Sequence, residues 1–258
     1  MQQNVSVVWF KKDLRFTDHK PLQKAIEARL PIILLYVFEP INITSPDADI
    51  RHNRFIWESL LQLQQQALKG QPIHINIAYG NILDVFTFIQ SVNCIKQIFS
   101  HQETGNNITY TRDKQVKKWV KLNGITWNEF PTNGVIRGLN NRENWNKKWV
   151  LTMQQPIQNP NLFAANLLPI IFPESLQIPF NLLQQWSTPN NLMQPGGIIA
   201  ANKYMRSFFE TRIKGYRKYI SQPHSARWHC SRLSPYLTYG NITIKQVYQA
   251  AQQVIKSE

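Results

Sequence analysis

Apolar residues alternate between two spacings over the first half of the chain. Short β-rich runs at residues 5–10, 31–37, 73–79, 97–100 and 126–130 predict five strands. Between them the spacing turns helical, over 21–29, 51–68 (ending before Gly70), 82–90 and 110–122 (ending before Gly124). Strands that alternate with helices predict an α/β fold: a doubly wound, five-stranded parallel sheet, Rossmann-like, with right-handed crossovers and ligands at the carboxyl ends of its strands. The usual dinucleotide-binding glycine turn is missing. The first strand runs into Trp9-Phe10-Lys11-Lys12-Asp13-Leu14-Arg15, and no P-loop occurs, which argues against the common NAD-dependent enzymes.

Beyond Phe130 the pattern fades. Residues 131–195 are rich in Pro, Asn and Gln and predict a long interdomain linker, with a short helical stretch at 142–153 around Trp145 and Trp149. Helical spacing returns after Gly196-Gly197, where Ala200, Tyr204, Phe208, Phe209, Ile213 and Tyr216 make one apolar stripe. A second helical region follows over 234–240 and 244–255. The chain thus divides into an α/β domain at 1–130, a linker at 131–195 and the start of an all-α domain at 196–258. Three helices at most are thin for a free-standing core.

With 258 residues, 43% of them hydrophobic, the chain is too apolar to be disordered as a whole. Its two cysteines, Cys94 and Cys230, make no disulfide framework and lack zinc-ligand spacing, and its histidines are scattered, so no metal site is expected. No apolar run approaches the roughly 18–20 residues of a membrane span and no signal-peptide pattern opens the chain, so no membrane partner and a cytoplasmic, reducing location are expected. Charge is uneven. Up to Phe130 there are 15 basic and 11 acidic side chains; from Pro131 onward there are 14 and 4. A cationic second half suits a polyanion, or is simply a solvated face.

Two separated segments carry a resemblance. Val8-Trp9-Phe10-Lys11-Lys12-Asp13-Leu14-Arg15, with Asp18, resembles the V-W-F-R-R-D-L-R-x-x-D opening of the photolyase and cryptochrome flavoproteins. Ser231-Arg232-Leu233-Ser234-Pro235-Tyr236-Leu237, followed by Gly240-Asn241-Ile242, resembles that family's T-S-R-L-S-P-x-L-x-x-G flavin-phosphate segment. The resemblance implies an N-terminal antenna domain, a linker and a helical FAD-binding domain of which only the first part is here. The family's chains continue for about as long again, so a missing C-terminal half would supply most of the isoalloxazine pocket. The function implied is DNA photolyase-like: light-driven electron transfer from reduced FAD to pyrimidine dimers in DNA, with the 258-residue chain expected to be inactive alone. A cryptochrome-like blue-light sensor without repair, and a non-catalytic nucleic-acid or nucleotide-binding module, stay open as alternatives.

The resemblance assigns cofactor contacts to Tyr216, Ser231, Arg232, Leu233 and Ser234. Residues 231–234 stand where a loop turns into a helix, so hydroxyls and free N–H groups can meet a diphosphate with help from the helix dipole. The same residues also read as an ordinary N-cap. Arg232 is taken as internal to this segment and paired with an acid, Cys230 stands where the family more often has Thr, and Tyr219 competes with Tyr216. Between Lys203 and Arg232 there are eight basic residues and one acid, Glu210. Of these, Lys203, Arg206, Arg212, Lys214, Arg217, Lys218 and Arg227 are expected to face DNA phosphates while damaged bases are flipped out, or to form a solvated face. Lys11, Lys12, Asp13, Arg15 and Asp18 are expected to be architectural. The loop at 101–106 would hold an antenna pterin or deazaflavin, with His101 an ordinary loop residue. No catalytic residue is identified, and the eight tryptophans are expected to pack in the core or connector.

Overall fold

The structure, a computed structural model, describes residues 2–257 apart from Lys69. Five strands, β1 (Asn4–Phe10), β2 (Ile32–Phe38), β3 (Asn76–Tyr79), β4 (Cys94–His101) and β5 (Thr126–Phe130), pair in the order β3-β2-β1-β4-β5 with every pairing parallel. The β2 sequence, Ile-Ile-Leu-Leu-Tyr-Val-Phe, is buried along its whole length, as a strand covered on both faces must be. Successive residues of β1 divide between the faces. Val5, Val7 and Trp9 join the core beneath helices α3 (Ile82–Val92) and α4 (Asn107–Leu122), while Val8 and Phe10 join the core beneath α1 (Lys20–Glu27) and α2 (Ile50–Gln64). The sheet is therefore doubly wound, as expected. The helix predicted at 51–68 stops at Gln64, because Ala67–Leu68 pairs with Gln71–Pro72 as a small antiparallel hairpin.

Residues 131–195 are more tightly held than the expected linker. Leu167 bridges Ile32 at the start of β2, with Ile32 N–H to Asn166 O at 2.7 Å and Leu168 N–H to Ile32 O at 2.8 Å. Phe172 and Leu176 enter the core beneath α3 and α4. Two helices form here: α5 (Trp145–Gln154), close to expectation, and α6 (Phe180–Ser187), which was not expected. Trp186 of α6 is 1% exposed and its ring lies 4.5 Å from Phe38.

After this stretch come the helices α7 (Ile198–Ser207), α8 (Ile213–Tyr219), α9 (Pro223–His229), α10 (Ser234–Thr238) and α11 (Ile244–Ser257). A π-helical turn, Phe208–Arg212, joins α7 to α8 and interrupts the single stripe expected there. This layer has a small core of its own, Ala201, Leu233, Tyr236 and Ile242, completed by Phe55 from α2. Among the described residues no helix is long and apolar enough to cross a membrane.

Candidate functional site

The loop after β1 holds the molecule together at the carboxyl end of the sheet. Asp13, 1% exposed, accepts the Lys11 N–H at 2.7 Å, and its other oxygen lies 2.7 Å from His101 Nδ1 and 3.0 Å from His19 Nε2. His19 caps α1 by accepting the Leu22 N–H at Nδ1, 3.1 Å, so the proton of its neutral ring sits on Nε2, which is close to Asp13 but not well aligned for a hydrogen bond. A metal at Nε2 would need the lone pair that this tautomer lacks. The three side chains therefore make a proton-sharing cluster rather than a ligand set. Burial alone would raise the Asp13 pKa, but the protons offered by His101 and His19 prevail and hold it well below the usual carboxylate range. Burial also lowers both histidines, His101 to about 4, against the opposing pull of Asp13. Sequence spacing scattered these histidines, and His101 read as a loop residue. The fold instead places it at the end of β4, 88 positions from Asp13.

Asp13's neighbours clasp the turn after α10. The Arg15 guanidinium donates to Gly240 O at 3.0 Å and Asp18 O at 3.2 Å, Leu14 N–H donates to Tyr239 O at 3.0 Å, and Asn241 Nδ2 donates to Leu14 O at 3.1 Å. Lys245 pairs with Asp18 at 2.8 Å. Gly240 has φ +69° and a Cβ built there would lie 2.3 Å from Lys12 O, so only glycine fits both the turn and the approach. The architectural role expected of Lys11, Asp13, Arg15 and Asp18 thus extends to a segment far along the chain.

Residues 231–234 lie in front of this turn. Leu233 is 2% exposed in the small core, so only its backbone is offered to a ligand. Arg232 has φ +58°, and Gln194 Nε2 donates to its carbonyl at 3.0 Å. No acid pairs with Arg232 among the described residues; its guanidinium lies 5.7 Å from the Tyr204 ring centre, with a buried Nε that has no partner. The expected carboxylate partner is thus replaced by an aromatic face. Tyr216 is 37% exposed and packs edge-on against Phe208 at 5.4 Å, whereas Tyr219 lies against His229 at 4.3 Å. Helix α10 has five residues, so its dipole adds little and the segment's own peptides must carry any anion contact.

A cavity of about 420 Å³ opens at the carboxyl ends of β1 and β2. Trp9, Tyr36 and Tyr239 give it flat walls, and Glu39, Glu103 and Arg112 its charges. Arg112 ties the acids together, at 2.8 Å to Glu39, 2.6 Å to Glu103 and 2.8 Å to Asp113. Lys11 and Arg112 lie 4.3 and 4.8 Å from the Trp9 ring centre. Burial raises the Glu39 pKa against the pull of Arg112. Thr104, Gly105 and Asn106 of the loop at 101–106 also line this cavity.

A family profile described as DNA photolyase matches residues 6–153, more than half of the chain. The chain belongs to the DNA photolyase family. A deoxyribodipyrimidine photo-lyase of Vibrio cholerae is 23% identical over 264 residues, which take in 93% of this chain and 53% of the relative. The Synechocystis cryptochrome matches with TM-score 0.79 and 19% identity over all of this chain and 57% of that one. A class III photolyase from Agrobacterium tumefaciens matches with TM-score 0.74 and 17% identity, over 99% of this chain and 54% of that one. The archaeal photolyase from Sulfolobus tokodaii with two FAD molecules matches with TM-score 0.71 and 20% identity, over 96% and 55%. These likenesses bear out the fold, and the chain spans about half the length of the relatives it matches.

In this photolyase-family chain the expected DNA contacts separate into two groups. Lys203, Arg206, Lys214, Arg217, Lys218 and Arg227 are all exposed on α7, α8 and α9, with no ion pair among the described residues. Arg212 is a correction. Its guanidinium turns inward and donates to Tyr204 O at 2.6 Å, Ser207 Oγ at 2.9 Å, Ser231 O at 3.4 Å and the Cys230 carbonyl. Unsatisfied carbonyls at the close of α9 and the start of the 231–234 segment draw it in. Trp9 and Trp186 are core residues as expected, but Trp228 is 66% exposed beside Arg227.

Proposed function

We propose that this chain is the N-terminal portion of a photolyase-type flavoprotein that acts on pyrimidine dimers in DNA. The clasp carries this reading: two motifs some 225 positions apart, Asp13-Leu14-Arg15 and Tyr239-Gly240-Asn241, meet through backbone and buried side-chain bonds, so the α/β sheet fixes the segment expected to hold flavin phosphate. The fit is good. Arg232, inside that segment, keeps a buried Nε without a partner, and no carboxylate is paired to it among the described residues. A diphosphate supplies the missing negative charge.

On this reading Ser231 and Ser234 offer hydroxyls, Arg232 and Leu233 offer backbone, and Tyr216 offers an aromatic edge to the ribityl region. When bound, FAD supplies the light-driven electron transfer that splits the dimer. The six exposed cations on α7 to α9 hold DNA phosphates and set register without reading sequence. The cavity over β1 and β2 takes an antenna chromophore, a pterin or deazaflavin, between its aromatic walls. The domain reading of 1–130, 131–195 and 196–258 is kept, with 131–195 as a strap rather than a free linker.

The test is light-dependent repair of a dimer-containing oligonucleotide by the longer protein of which this chain is the proposed N-terminal portion, supplied with FAD and a reductant, with the 258-residue chain alone expected to stay inactive. Repair that requires both light and flavin supports the reading. Flavin binding with no repair points to a blue-light sensor. Steeply salt-dependent DNA binding without flavin or lesion preference points to a nucleic-acid module and overturns it.

A further inference from the structure

We infer that Arg212 is a positioning residue for the 231–234 segment, setting its peptides to receive a diphosphate; this rests on the flavin-phosphate reading above. One guanidinium reaches four acceptors: the carbonyls of Tyr204, Cys230 and Ser231 and the hydroxyl of Ser207. Two of these carbonyls belong to successive peptides at the start of the segment. Every peptide bond described is trans, and a trans peptide points its N–H opposite to its C=O. Drawing the carbonyls of Cys230 and Ser231 toward Arg212 therefore turns the N–H groups of Ser231 and Arg232 the other way. No acceptor among the described residues takes either N–H.

The neighbouring geometry continues the pattern. Arg232 sits in the left-handed region at φ +58° and Leu233 follows at φ −88°, ψ −10°, an alternation that makes successive N–H groups converge on one side; the Leu233 N–H is donated to Ser231 Oγ at 3.4 Å, which leaves those of Ser231 and Arg232 open. Gln194 Nε2 donates to the Arg232 carbonyl at 3.0 Å. A left-handed arginine is unfavourable in isolation, and the bonds from Arg212 and Gln194 keep the segment in that shape. A lysine cannot take over, because its ammonium lacks the planar fork that spans helix and loop acceptors together.

The test compares ADP, which carries a diphosphate, with adenosine, which does not, by calorimetric titration of the chain and of Arg212→Lys and Arg212→Gln. The wild-type chain is expected to favour ADP by about 10-fold or more, as charge-assisted bonds to phosphate would give. Both variants should bring ADP down to the adenosine level while still unfolding cooperatively. Ser207→Ala, which removes one acceptor and no charge, should give a smaller loss of the same kind and serves where an Arg212 variant fails to fold. Retention of the wild-type preference by Arg212→Lys would overturn the proposal, as would equal losses for ADP and adenosine. A wild-type chain with no preference for ADP removes the diphosphate reading itself, before any variant is made.

Discussion

At the scale of single residues, the Asp13, His19 and His101 cluster ties fold stability to pH. Both histidines are neutral in the folded protein and their pKa values lie below that of a free imidazole, His101 at about 4. Unfolding therefore takes up protons once the pH drops below about 6.5. The stability they contribute is full above that point and is lost progressively toward pH 4; Asp13, also depressed, extends the loss to lower pH. Urea midpoints measured from pH 8 to pH 4 should fall most steeply between pH 6.5 and 4, and His101→Gln should flatten that fall. Asp13→Asn should cost about 1.5–3 kcal/mol in the same assay, the size expected when hydrogen bonds to a buried charged group are lost. Asp13 was legible in the sequence because it lies inside a motif. Its partners were not: His19 reaches it through the fold of the loop that leads into α1, and His101 through the adjacency of β1 and β4.

At the scale of elements, regular periodicity was readable and short, proline-bounded pieces were not. All five strands and the four helices that cover them follow from alternation and helical spacing, with shifts of a few residues at their ends. Helix α6 escaped because Phe180–Ser187 is two turns long and follows Pro179 in a stretch punctuated by prolines, where no window of helical spacing builds up. Its anchor is Trp186, which fills space against Phe38 of β2. Trp186→Ala should lower stability by about 3–5 kcal/mol, read as a drop in the thermal midpoint. Trp186→Phe should recover most of it. The π turn was illegible for another reason: Phe208–Arg212 carries the same apolar stripe as an α-helix would, and only the inward pull on Arg212 marks the difference.

At the scale of the whole molecule, the charge asymmetry read from composition becomes a layer. Lys214, Arg217 and Lys218 project from α8, with Lys203, Arg206 and Arg227 on the helices beside it. If this layer meets DNA backbone, replacing Lys214, Arg217 and Lys218 together by Gln should make the log–log salt dependence of binding shallower by up to about 0.9 per lost contact, and by the same amount for damaged and undamaged duplex. Fluorescence anisotropy over a salt series measures it; an unchanged slope would assign the layer to solvent. The clasp also bears on how the protein is made. Arg15 waits for Gly240, so the loop after β1 leaves the ribosome about 225 residues before its partner. At about 5–20 residues per second that is a delay of roughly 10–45 s, during which the sheet can assemble but its first loop stays unlatched and its buried carboxylate is open to water. The clasp therefore closes late, joining a turn made after the whole sheet to the loop made just after its first strand.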